Sequence, residues 1–137
     1  MHSALGELEK AKEPSVQRAG IAALRHSVPD TLRMVEMYNQ RRQAMLAGLR
    51  KIGFGVQHDP TGAFYVFANA RRFGSKSYTL AFEILEQAKV AVAPGIDFGA
   101  NGEGYLRFSY ANSLEHIQED LRRLEQYLVH GAPYLAS

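Results

Sequence analysis

Arg107 is the only charged residue in residues 104–111, GYLRFSYA, and of all the side chains here it has the most chemistry to offer. A planar guanidinium can hold a carboxylate or phosphate through two parallel charge-assisted hydrogen bonds. Its neighbours Tyr105, Leu106, Phe108 and Tyr110 suit a pleated, half-buried strand. An unpaired charge in such surroundings is costly, so Arg107 needs an anion or water. It therefore faces solvent, pairs with a distant glutamate, or meets the anionic end of a ligand. The preceding run, PGIDFGANGEG, is rich in glycine, and Gly95, Gly99, Gly102 and Gly104 allow backbone conformations closed to other residues.

Other chemistry is thinly represented. The chain has no cysteine, which excludes disulfides and cysteine-based nucleophiles or metal sites. His26, His58 and His116 show neither metal-ligand spacing nor a nucleophile context, so no metal is expected. Basic residues exceed acidic ones by only two, 16 against 14, and Arg41, Arg42, Arg50, Lys51, Arg71 and Arg72 lack regularly interleaved aromatics. They read as a solvated face, and no nucleic-acid partner is expected. No apolar run approaches membrane-spanning length, and the first residues, MHSALGELEKAKEP, lack a signal-peptide core. The expectation is a cytoplasmic protein without a membrane partner.

The elements that must position Arg107 follow from periodicity and turn residues. At 137 residues one domain is expected. Residues 3–13 are weakly helical, and 15–25 form a short helix with Val16, Ala19, Ile21, Ala22 and Leu24 as apolar positions. Pro29 and Asp30 signal a long helix running to about Lys51, with Leu32, Val35, Met37 or Tyr38, Met45, Leu46 and Leu49 as its apolar positions. Residues 53–57 read as a short strand, 58–62 as a turn and 63–68 (AFYVFA) as a buried strand. A helix over 78–87 takes Tyr78, Ala81, Phe82, Leu85 and Ala88 as its inner face. Strands follow at 90–93 and 106–110. The last helix, 114–129, is capped by Asn112 or Ser113 and closed by Gly131, with Leu114, Ile117, Leu121, Leu124 and Leu128 on one face. The order is helix, helix, β, β, α, β, β, α. It predicts an α+β fold with a small, largely antiparallel sheet covered by helices and a long N-terminal helix.

Three pieces in this order carry a resemblance. Thr61-Gly62-Ala63-Phe64-Tyr65 starts a strand, Val90-Ala91-Val92-Ala93-Pro94-Gly95 leads to Phe98-Gly99, and 104–111 precedes the final helix. Together they resemble the C-terminal small domain of the class I/II, fold-type I aminotransferases, which depend on pyridoxal phosphate (PLP). The resemblance spans roughly residues 15–129. It implies that Arg107 binds the substrate α-carboxylate and that Gly62 lies in the small-domain segment that comes near the substrate on closure. It also implies that Phe98 sits near the mouth of the site. Without it, Gly62 is a turn glycine needed for positive φ and Phe98 a core aromatic. Asp97 is given no role.

The resemblance also implies residues that are missing. The family's cofactor lysine lies in a Ser-x-x-Lys or Ser-Lys setting followed by Gly-x-Arg-x-Gly. The lysines here are Lys10, Lys12, Lys51, Lys76 and Lys89. Ser75-Lys76-Ser77 mimics the motif but falls in a loop without the glycine–arginine run, so Lys76 reads as solvated. No catalytic or cofactor-binding residue is therefore expected, and PLP belongs to the full-length enzyme rather than to this chain alone. The implied organisation is a piece of an aminotransferase: a helical connector at 15–51 toward a missing large PLP-binding domain, a small domain at 52–129 and a tail at 130–137. The implied partners are an amino acid and a 2-oxo acid, the large domain and a second subunit of a homodimer. Two alternatives stay open: a stand-alone module sensing amino or oxo acids, and the effector-binding end of an aminotransferase-like transcription regulator.

Overall fold

Two helices open the part of the chain that the structure, a computed structural model, describes, residues 14–131. The expected helix over 3–13 and the last six residues of the expected tail lie outside it. Helix α1 spans Pro14–His26 and α2 spans Val28–Ile52, with Ser27 alone between them. Asp30 in the first turn of α2 and Arg50 and Lys51 in its last match the two ends of the helix dipole. Packing divides the chain inside α2, between Met37 and Tyr38.

In the first of these units, every described side chain from Ser15 to Met37 is exposed except half-exposed Ser27. The apolar positions predicted from helical spacing, among them Val16, Ile21, Leu24, Leu32 and Val35, are thus exposed, Leu24 by 85%.

In the second unit, α2 contributes Met45, Leu46, Leu49 and Ile52 to the core. Strand β1 (Tyr65–Asn69), helix α3 (Ser77–Ala88), strand β2 (Ala93–Pro94), strand β3 (Tyr105–Ser109) and helix α4 (Leu114–His130) follow. The strands form an antiparallel sheet in the order β1-β3-β2, which puts β3 in the centre. Alternation does the rest. Val66 and Ala68 of β1 and Leu106 and Phe108 of β3 turn to the core, where they join Leu80 and Ile84 of α3 and Ile117, Leu121 and Leu124 of α4. Tyr65, Phe67 and Asn69, with Tyr105, Arg107 and Ser109, take the opposite face. Gly48 sets the distance between α2 and α4, because a Cβ there would come within 2.5 Å of Leu121 Cδ1.

Four local expectations change. The strand predicted at 53–57 reduces to a single bridge between Gly55 and Asn69. Gly53, at φ 110°, instead closes α2, and the Gly53 and Phe54 amides both donate to Leu49 O. The strand predicted as buried at 63–68 runs over 65–69 and is half-buried, with Phe67 43% exposed. The strand predicted at 90–93 reduces to Ala93–Pro94, the two residues that pair with Arg107 and Leu106 of β3. Helix α3 buries Ser77, Leu80, Ala81, Ile84 and Ala88, leaving Tyr78, Phe82 and Leu85 exposed on another face. The closing helix keeps its predicted ends: Ser113 Oγ accepts from the His116 amide, and Gly131 stops it at φ 65°.

Candidate functional site

Arg107 occupies the middle of the central strand, with Phe67 opposite it on β1 and Ala93 opposite it on β2. Its guanidinium carbon lies 4.2 Å from the centre of the Tyr65 ring and 4.4 Å from that of Phe98. Two aromatic rings thus lie against one cation, an arrangement favoured by the ring quadrupole and by the weak hydration of the guanidinium. A cation–π contact engages the guanidinium's charge and leaves its N–H donors able to bond an anion. Among the described residues Arg107 has no ion-pair partner.

The nearest candidate in sequence, Glu103, is engaged elsewhere. Its Oε1 accepts the Ser77 amide at 2.5 Å and the Gly104 amide at 3.1 Å, capping the N-terminus of α3. The Ser77 amide is the chief reason its carboxyl sits below the ordinary 4.5, against a smaller opposing effect of desolvation. Ser77 itself is buried and accepts the Ile96 amide on Oγ at 3.2 Å. These bonds fasten the turn that carries Phe98 to the start of α3.

That turn is made of two short 3-10 segments, Gly95–Phe98 and Ala100–Gly102. Its glycines serve two different needs. Gly99 and Gly104 take positive φ, 108° and 80°. At Gly95 and Gly102 the need is space, since a Cβ on either would come within 2.1 Å of the other's carbonyl oxygen.

A groove of about 360 Å³ opens beside Arg107, lined also by Gly55, Gln57, His58, Pro60, Tyr65, Phe67 and Tyr105. Of the predicted site residues, Arg107 and Phe98 are brought together. Neither Phe98 nor Gly62 lines this groove, and a Cβ on Gly62 would meet nothing within 4 Å. The positive φ expected at Gly62 falls instead on Ala63, at 57°, whose carbonyl accepts the hydroxyl of buried Tyr110 at 3.1 Å. Phe98, 51% exposed, is no core aromatic. Sequence reading missed Tyr65 and Phe67 as neighbours of Arg107. Their alternation along β1 was the available signal, but only the pairing register ties them to Arg107.

The described residues do not fit PLP. Lys51 pairs with Glu125 at 3.0 Å, Lys76 and Lys89 stand exposed at the two ends of α3, and none of the three lines the groove. Among the described residues no cluster of histidine, aspartate and glutamate is arranged to hold a metal ion. No described helix is long and apolar enough to cross a membrane.

Comparison with known proteins gives a consistent result. Residues 12–124 match the family model for aminotransferase class I and II. The chain is 42% identical over 115 residues to an aspartate aminotransferase of Pyrococcus horikoshii, covering 82% of this chain and 29% of that protein. It is 36% identical over 114 residues to an LL-diaminopimelate aminotransferase of Moorella thermoacetica, covering 83% and 29%. Its structure superposes on a crystal structure of an aromatic aminotransferase from Pyrococcus horikoshii with a TM-score of 0.75 at 36% identity, covering 78% and 28%. The chain spans less than a third of the length of these relatives.

Proposed function

Because the chain belongs to the aminotransferase class I and II family, we propose that it is the substrate-binding small domain of a PLP-dependent aminotransferase. In this reading Arg107 holds the α-carboxylate of an amino acid or 2-oxo acid. The observation that carries it is the pair of aromatic contacts to an arginine with no carboxylate partner among the described residues. Contact with Tyr65 and Phe98 limits where the guanidinium can go, so less ordering entropy is lost when the ligand binds. The Glu103 and Ser77 bonds hold the Phe98 turn in place.

We assign residues 38–129 to the small domain and 15–37 to a connector reaching a large domain that holds PLP; the boundary expected at 51/52 moves because Met45, Leu46 and Leu49 pack in the small domain's own core. The cofactor lysine belongs to that large domain, and the groove's lack of a lysine supports this division. Phe98 lies at the mouth of the site. Gly62 belongs to the segment that approaches substrate when the domains close, which accords with the open space around it. The whole protein acts as a homodimer on an amino acid and a 2-oxo acid. The chain alone is inactive.

Arg107→Lys in the full-length enzyme tests this. Lysine keeps the charge and loses the second parallel hydrogen bond, so KM should rise sharply and kcat/KM fall by about 100-fold. Steady-state kinetics with saturating cofactor would read both, and unchanged kinetics would remove Arg107 from the site.

A further inference from the structure

The open face of the sheet bears on the rest of the ligand as well as on its carboxylate. Phe67 lies directly opposite Arg107 in the β1–β3 register, and Tyr105 precedes Arg107 by two residues on the same face. The Phe67 and Tyr105 rings stack, with centres 5.2 Å apart and planes 4° from parallel. Directly opposed residues on antiparallel strands hold their Cβ atoms roughly 4.5–5.5 Å apart. Atoms next to a carboxylate on Arg107 therefore meet an aromatic wall. The groove of about 360 Å³ shared by Arg107, Tyr65, Phe67 and Tyr105 is of ligand size.

A second fixed cation, which a dicarboxylate would require, is absent from the groove among the described residues. Arg71 lies over the Tyr105 ring at 5.1 Å and donates to Glu103 O at 2.9 Å, and it does not line the groove. His58 lines it too, on the segment between α2 and β1, and is an imidazole rather than a guanidinium.

We propose that this groove selects carboxylates with a flat, apolar body, that is, aryl-substituted amino or 2-oxo acids, over small aliphatic acids and dicarboxylates. The selection rests on the reading of Arg107 as the carboxylate anchor. It adds that the Phe67–Tyr105 wall takes the ligand's ring, with ring contact and buried apolar area together favouring the aryl acid by about tenfold.

The test is a titration of the isotopically labelled 137-residue chain, run in parallel on the parent and on His58→Ala. Amide and Arg107 side-chain shifts are followed with propionate, succinate, 3-phenylpropionate and 3-phenylpropanol. The expected result is a dissociation constant for 3-phenylpropionate about tenfold below those of propionate and succinate. Phe67→Ser, a change on an exposed face, should reduce 3-phenylpropionate to the level of propionate. Arg107→Leu should abolish the response to all three acids. Equal affinities, or a preference that survives Phe67→Ser while binding still depends on Arg107, would overturn the aryl selection and leave the anchor standing. Binding of no acid through Arg107, or alcohol binding as tight as acid binding, would overturn the anchor itself and the selection with it.

Discussion

Tyr65 and Phe98 reach Arg107 from different parts of the chain, one from β1 and the other from the turn after β2. Phe98 is the ring that the turn after β2 carries. Its ring also meets Phe67 edge-on at 6.0 Å, which keeps it over the guanidinium. Removing it should open Arg107 to water and widen the positions its guanidinium can take. A cation–π contact of this kind is worth about 0.5–2 kcal/mol. Phe98→Ala should therefore raise the KM of the full-length enzyme for every 2-oxo acid by roughly 3- to 30-fold. The loss should be smaller than that of Arg107→Lys and similar across substrates, as steady-state kinetics on an acid series would show. Arg107 and Phe98 stood out in the sequence as candidates because each sits in a short, ordered motif. Tyr65 and Phe67 were legible only as strand residues, since a linear sequence carries no pairing register.

Helix α3 shows what happens when an element's own residues do not complete it. Lys76, at its N-cap, has extended backbone and makes no side-chain cap, and no acidic residue stands in the first turn. Glu103 supplies both the cap and the negative charge from 26 residues away. Because the Glu103 carboxyl is held below its ordinary value in the fold, its contribution is present above about pH 4.5 and is lost as pH falls through the lowered value. Glu103→Gln should lower the melting temperature at pH 7, and the gap to the parent should narrow as pH drops below about 4.5. Melting curves across pH would read this, and a constant gap would assign the loss to something other than the charge. The burial of α3 was misread for a related reason. Leu80 and Ile84 interleave with Tyr78, Phe82 and Leu85, so apolar residues run around much of the helix and spacing alone does not choose the inner face. In α4 the apolar positions form one stripe, and the predicted Ile117, Leu121 and Leu124 are buried.

Across the whole molecule, burial is confined to one part of the chain. Every buried apolar side chain among the described residues lies between Met45 and Leu124, and none lies in residues 15–37. Helix α1 has 13 residues, a length at which an isolated helix is marginal in water, because helical stability in proteins comes largely from a packed face. Native-state hydrogen exchange should reflect this. Amides of Leu106, Phe108, Leu49 and Leu124, on fully or nearly fully buried residues, should exchange only on global unfolding, slowed by roughly 1,000-fold or more. Amides of α1 should show at most about tenfold slowing in dilute protein. The exposed Val16, Ile21 and Leu24 make the concentration dependence informative. If protection of α1 rises with protein concentration, a second copy is covering that apolar face. If strong protection persists at the lowest concentration measured, the argument from burial fails for α1, and the helix draws its stability from a source other than a packed face.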